Sequence, residues 1–104
     1  MMNNSLPAVT RRKNEKGQVE YHIGFASDWE GFDSLVKYLE KYWHAVPIQK
    51  DDNVYSRRWL LRSGGVSIAI YHDSQIGNYF VREDGVNEQA LLEQIEADLI
   101  ERFR

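Results

Sequence analysis

The sequence switches between two kinds of hydrophobic periodicity, and this alternation restricts the chain to a mixed α and β fold. Apolar residues recur at every second position in residues 18–25 and in three runs between residues 55 and 82, as in strands with one buried face. Two other segments, starting near Trp29 and Leu91, repeat at helical spacing. The predicted order of elements is therefore β-α-β-β-β-α.

The first predicted helix has recognisable ends. Ser27-Asp28-Trp29-Glu30 fits a capping box, in which Ser27 accepts from the backbone and Glu30 reaches back. Pro47 cannot continue a helix, so the helix should stop near His44. Its apolar stripe consists of Phe32, Leu35, Val36, Leu39 and Trp43.

Turn signals separate the remaining elements. We expect turns at Asp51-Asp52-Asn53, at Ser63-Gly64-Gly65 and at Asp73-Ser74-Gln75. In the run from Tyr55 to Arg62, odd-numbered residues share one face of the strand and even-numbered residues the other. Asn87 is the predicted N-cap of the final helix, with Glu88 at its positive end. The apolar stripe of that helix consists of Leu91, Leu92, Ile95, Leu99 and Phe103.

These elements predict an α+β two-layer sandwich. Short connections favour a meander of antiparallel strands, with both helices packed on one face of the sheet. We expect a single domain over residues 18–104. Residues 1–17 show no periodicity and are predicted to form a flexible basic arm.

Composition excludes several classes of protein. The 104 residues carry a net charge of −3, which argues against a protein that coats nucleic acid by charge alone. No apolar run approaches the ~18 residues of a membrane span, and no signal peptide is recognisable. Cysteine is absent, so disulfides and thiolate metal sites are excluded. We expect a cytoplasmic protein without membrane contact, cofactor or bound metal.

Charge is unevenly distributed along the chain. Residues 1–18 hold four basic residues and one acidic residue, whereas residues 83–104 hold seven acidic residues and two basic ones. An acidic surface can steer a basic partner and select it by complementary potential, and an exposed Trp is a common interface anchor. The candidate partner contacts are Asp51, Asp52, Asp73, Glu83, Asp84, Glu93, Glu96, Asp98, Glu101 and Trp29.

A small enzyme is one alternative function. The three histidines lack the spacing of a helical zinc site. If the last two strands pair across their turn, His72-Asp73 and Arg82-Glu83 would lie near one end of the sheet, where general acid–base chemistry becomes conceivable. A turn-stabilising aspartate and a surface ion pair explain the same residues. We therefore assign no catalytic residue.

Nucleic-acid binding is a second alternative. Arg57, Arg58 and Arg62 are interleaved with the aromatic residues of the meander, a pattern that can hold single strands by charge and stacking. The order helix, three strands, helix is similar to that of double-stranded RNA-binding domains. However, the final helix is preceded by Glu83-Asp84 and opens with Glu88. Acidic residues there would repel phosphates, which argues against this alternative.

Three features together resemble the small immunity proteins of bacterial toxin systems, including contact-dependent growth inhibition. They are the acidic segment Glu88–Glu101, the aromatic-rich meander Tyr55–Val81 and the lack of a catalytic constellation. Proteins of that class are short, cysteine-poor and often acidic, and each neutralises one cognate toxin by binding at or near its active site. The resemblance implies a protein-binding module that occludes a toxin, in particular a basic nuclease domain.

Overall fold

Within the described residues, six antiparallel strands form one sheet, accompanied by two helices. The computed structural model describes residues 8–24, 26–83 and 89–103. The strands are β1 (Val9–Lys13), β2 (Val19–Ile23), β3 (Val46–Asp52), β4 (Ser56–Ser63), β5 (Val66–Asp73) and β6 (Gly77–Arg82). The helices are α1 (Trp29–Trp43) and α2 (Ala90–Arg102). The order across the sheet is β1-β2-β6-β5-β4-β3, which confirms the α+β class.

Sequence analysis missed both edge strands. Residues Val9–Lys13, assigned to the flexible arm, form β1 and pair with β2 from Val9↔Ile23 to Lys13↔Val19, so the arm prediction is wrong for them. Asp51 and Asp52, predicted as a turn, are the last residues of β3. Both strands are largely exposed. An edge strand needs only one pairing partner and buries few side chains, so its sequence carries little hydrophobic alternation.

The inner face of the sheet and both helices share one hydrophobic core. A row of inward residues, Tyr21, Phe80, Ile70 and Trp59, runs across four neighbouring strands in register. Phe32 of α1 meets the edge of the Trp59 ring at 5.3 Å between centroids. The core residues contributed by the helices are Phe32, Leu35, Val36, Leu39, Leu92, Ile95 and Leu99. The predicted inward stripes of both helices are thus largely confirmed.

The helix ends agree only partly with expectation. Asp28, not Ser27, is the N-cap of α1, and its Oδ1 accepts a hydrogen bond of 2.7 Å from the Gly31 N–H. The predicted cap was one residue too early, because Asp and Ser are comparable caps and the sequence contains both. His44 ends α1 with a left-handed backbone at φ 54°, as the stop signal predicted. The predicted cap of α2, Asn87 with Glu88, lies outside the described residues.

Candidate functional site

Two turns and the start of α1 meet at one end of the sheet. The backbone N–H of Ser74 donates to the carbonyl of Tyr55 at 3.0 Å, which joins the β5–β6 turn to the β3–β4 turn. The Asn78 amide donates to the carbonyls of Ala26 at 2.8 Å and Asp28 at 3.0 Å, which holds the chain entering α1 beside them. We call residues 26–33, 50–57 and 72–78 the turn end.

The turn end exposes three large apolar side chains on its adjoining turns. Val54 is 82% exposed, Tyr55 is 73% exposed and Ile76 is 56% exposed. Trp29, at the first position of α1, is partly exposed at 38%. Single exposed apolar residues are ordinary, but several on connected loops are typical of an interaction surface.

The same segments are rich in carboxylates. They contain six carboxylates against two cations, Lys50 and Arg57. Both cations are engaged within the protein, since the Lys50 Nζ lies 4.4 Å from the Trp59 ring centre and Arg57 is only 9% exposed. The carboxylates belong to Asp28, Glu30, Asp33, Asp51, Asp52 and Asp73. The surface of the turn end is therefore apolar and acidic.

Arg57 lies beneath this surface, in a cage of aromatic rings. Its Cζ is 4.1 Å from the ring centre of Trp29, 4.8 Å from that of Trp59 and 4.9 Å from that of Phe32. A cation at this distance is attracted by the electron-rich ring faces. The cage joins the β3–β4 hairpin to the start of α1.

Two carboxylates complete the surroundings of Arg57. Its Nε donates to Asp52 Oδ1 at 3.0 Å, and its NH1 donates to Asp33 Oδ1 at 2.8 Å. Burial by itself lowers the pKa of the guanidinium, but these two hydrogen bonds have the larger combined effect. The pKa of Arg57 is therefore raised. Hydrogen bonds from Arg57 and from the Trp59 indole lower the pKa of Asp52. Arg57 is fully engaged and faces inward, so the nucleic-acid hypothesis loses one of its three arginines.

The predicted acid–base group is not assembled. His72 and Asp73 are consecutive in β5 and point to opposite faces of the sheet. His72 is buried, with Nδ1 2.7 Å from Asn78 Oδ1, while Asp73 accepts from the backbone of the β5–β6 turn. Arg82 pairs with Ile68, near the far end of β5. The prediction was wrong because β5 and β6 pair antiparallel across their turn, so His72 lies beside the turn and Arg82 lies at the opposite end of the strand pair.

The open face of the sheet carries a row of stacked side chains. The rings of His22 and Tyr79 stack at 4.6 Å, and those of Tyr79 and Tyr71 at 4.9 Å. Arg58 follows in register, donating to the Tyr71 hydroxyl at 3.0 Å and to Glu83 at 2.6 Å. Base stacking needs an open ring face, and phosphate binding needs an available cation. The stacked rings cover one another, and the Arg58 guanidinium is bound by Tyr71 and Glu83. These contacts argue against nucleic-acid binding on the open face.

The acidic candidates on α2 lie apart from the turn end. Glu96 accepts from the Arg11 Nε at 2.9 Å, and Glu93 lies 3.9 Å from the same guanidinium on β1. Asp98 accepts from the Tyr38 hydroxyl at 2.6 Å and from Arg102 at 2.6 Å. Glu101 is exposed, and Asp84 lies outside the described residues. Since β1 and β3 are opposite edges of the sheet, these residues cannot share one compact surface with Asp51 and Asp52.

The structure therefore divides the candidate contacts. It brings Trp29, Asp51, Asp52 and Asp73 together at the turn end, places Glu83 on the open face, and leaves four others on α2. Sequence analysis missed the exposed apolar residues of the turn end, because Tyr55 and Ile76 were read as strand residues. Their position beside Asn53 and Ser74-Gln75 was the available signal.

Comparison of the chain with protein-family models, with curated proteins and with solved structures finds no match. Over residues 8–24, 26–83 and 89–103, no helix has both the length and the apolarity needed to cross a membrane. In the same described ranges, no three or more His, Asp or Glu side chains are grouped so as to hold a metal ion.

Proposed function

We propose that this protein is a binding module of the toxin-immunity kind, which attaches to a basic nuclease toxin through the turn end and neutralises it by occlusion. One observation carries the proposal: three exposed apolar side chains lie on connected turns within the segments that also hold six carboxylates. Such a role requires no catalytic chemistry in this protein, because covering the active site of the toxin is sufficient.

The two components of this surface have different roles in binding. Buried apolar and aromatic anchors supply most of the affinity of a protein interface, so Val54, Tyr55 and Ile76 would occupy its centre. Carboxylates around them would accelerate the encounter with a cationic partner and reject acidic proteins. A nuclease presents cations to its phosphate substrate, so an acidic inhibitor surface is complementary to its active site.

The Arg57 cage supports this role because it holds the proposed binding surface rigid. It connects the hairpin that carries Val54 and Tyr55 to the start of α1, which carries Trp29. A surface that is already ordered loses less conformational entropy on binding, so more of its contact energy appears as affinity.

The first experiment is capture from a lysate of the source organism. The intact protein should retain one stoichiometric basic protein, whereas a triple variant, Val54→Ser, Tyr55→Ser and Ile76→Ser, should not. The matched control, Val46→Ser, Ile48→Ser and Phe103→Ser, removes three exposed apolar side chains elsewhere and should retain it. Equal retention by both triple variants, or retention of RNA instead of protein, would contradict the proposal.

A second experiment tests steering with the captured and purified partner. The double variant Glu30→Lys, Asp51→Lys should associate at least ~10-fold more slowly at low salt and with a weaker salt dependence. Glu15→Lys, Glu40→Lys makes the same charge change away from the turn end and should associate nearly as fast as the unaltered protein. The nuclease activity of the partner should recover in proportion to lost binding. An unchanged salt dependence in the first variant would refute acidic steering.

A further inference from the structure

A groove on the helical side of the molecule has the opposite chemistry to the turn end. It is a shallow, open depression of about 400 Å³ between α1 and α2, and its walls include Lys37, Lys41, Tyr42 and Arg102. Lys37 and Lys41 lie one turn apart on the exposed side of α1. The groove thus combines an aromatic wall with cations on both helices.

A narrow apolar slot adjoins this groove. The slot measures about 40 Å³, and its deeper walls are Ile23, Gly31, Leu35 and Leu99. A space of this size admits about three water-sized groups. The slot and the groove share three wall residues, Ser34, Tyr38 and Phe103, so that one continues into the other.

The polar groups around the groove leave it positively charged. The Tyr42 ring lies 3.9 Å from the Arg102 guanidinium and 5.2 Å from the Lys41 ammonium. Asp98 of α2 accepts hydrogen bonds from the Tyr38 hydroxyl and from Arg102. Among the described residues that line the groove, three are cations and none is acidic.

We propose that this groove binds a small amphiphilic carboxylate, with the end of its alkyl chain in the slot, the rest of the chain along the groove and its carboxylate against Lys37 and Lys41. An apolar recess with a few convergent polar groups at its mouth is the usual form of a small-molecule site. The slot selects an unbranched apolar chain, and the cations select an anionic head group. This inference does not rest on the proposed function, because none of the exposed apolar side chains or carboxylates of the turn end lines the groove or the slot.

The test uses octanoate as the probe and the intact protein in ¹⁵N-labelled form. Amide resonances of residues 31–42 and 99–103 should shift on titration, with a dissociation constant of about 1 mM for so small a ligand. Acetate, which lacks the chain, and octylamine, which reverses the charge, should bind at least ~10-fold more weakly. If acetate or octylamine matches octanoate, or if no resonance shifts, the proposal is overturned.

Variants locate the site. Lys37→Glu with Lys41→Glu should weaken octanoate binding about tenfold. The matched control, Lys13→Glu with Lys16→Glu, makes the same charge change near the β1–β2 turn and should leave binding unchanged. Ser34→Tyr, at an exposed position of α1, should block the slot and abolish binding while the helical circular dichroism is retained. Unaltered binding by folded Ser34→Tyr would overturn the assignment, whatever the outcome of the capture experiment on the turn end.

Discussion

The guanidinium carbon of Arg57 lies 4.1 Å from the centre of the Trp29 ring, so that a strand residue holds the first residue of α1 in place. Neither residue belongs to the hydrophobic core. Their contact instead joins a sheet edge hairpin to a helix through a cation and a ring face, a contact worth ~2 kcal/mol when desolvated. The stability of the turn end therefore depends on one arginine.

Arg57→Lys should lower the free energy of unfolding by about 2 kcal/mol. A lysine ammonium is compact, so it cannot cover three rings and bind two carboxylates at once. Urea denaturation followed by tryptophan fluorescence measures the change. Arg62→Lys, at an exposed position of the same strand, should change stability by less than ~0.5 kcal/mol. If the two substitutions lower the free energy of unfolding equally, the aromatic cage adds no stability of its own.

Two aspartates should make stability depend on acid pH. Hydrogen bonds from Arg57 lower the folded-state pKa of Asp52, and the bond from Tyr38 lowers that of Asp98. Their stabilisation is fully present above the unfolded value of ~3.9 and is lost as pH falls through the folded values. Asp52→Asn with Asp98→Asn should therefore be less stable than the unaltered protein at pH 7.

The stability difference should shrink as pH falls below about 4, since both carboxylates then become neutral in the unaltered protein too. Urea denaturation at a series of pH values measures this. Asp51→Asn with Glu40→Gln removes two exposed carboxylates, of which Asp51 accepts from Gln49, and it serves as the charge-matched control. A stability difference that is the same at pH 7 and pH 2.5 would mean that the two aspartates act by packing alone.

Tyr38 should titrate at unusually high pH. Burial, together with its hydrogen bond to Asp98, raises the pKa of Tyr38 to about 12. The folded state thus holds this proton more tightly, and the associated stability is present below pH ~10 and is lost as pH rises through the folded value. Absorbance near 295 nm should show a tyrosinate step near pH 12, to which Tyr79 also contributes because burial raises its pKa to about 12, and Tyr38→Phe should reduce the amplitude of that step. Loss of Tyr55, which is exposed, should leave that step in place.

Tyr38→Phe should also cost about 1–2 kcal/mol of stability at pH 7, because the Trp43 indole, 2.8 Å from the Tyr38 hydroxyl, loses its acceptor. The Trp43 emission should change with it. Tyr55→Phe again provides the control, with little expected effect on stability. A Tyr38→Phe variant as stable as the unaltered protein would show that water replaces the hydroxyl without loss.

Gly31→Ala should destabilise the protein, although alanine is the better helix former. A Cβ at residue 31 would lie 2.7 Å from the Ala26 Cβ and 3.0 Å from its carbonyl carbon. The overlap should outweigh the ~1 kcal/mol that alanine gains in a helix. Ser34→Ala, at an exposed position of the same helix, should instead be neutral or stabilising. Thermal unfolding of both variants shows whether each substitution raises or lowers stability. A stabilised Gly31→Ala variant would show that Ala26 moves freely.

Much of the fold could be read from periodicity. The alternation in residues 55–62 correctly separated inward Trp59 and Leu61 from outward Arg58, because strand geometry repeats every two residues. Helical spacing likewise identified the buried stripe of α1 around Leu35 and Leu39. These are local properties, and one segment of sequence suffices to reveal them.

The edge strands and the candidate site required the tertiary structure. Nothing in the local sequence shows that Val9–Lys13 finds β2, or that Tyr55 meets Ser74 across two turns. The same holds for charge: Arg57 and Arg58 are adjacent in sequence, yet one is buried in an aromatic cage and the other lies on the open face.

Short-range periodicity and chain geometry are enough to predict the α+β class, the positions of the helices and which residues of the inner strands face the core. The sheet order, the pairing of the carboxylates and the meeting of acidic and apolar residues at the turn end could be seen only in the folded structure. Those features depend on contacts between residues far apart in the chain. Their free energies come from burial and pairing that no local pattern records.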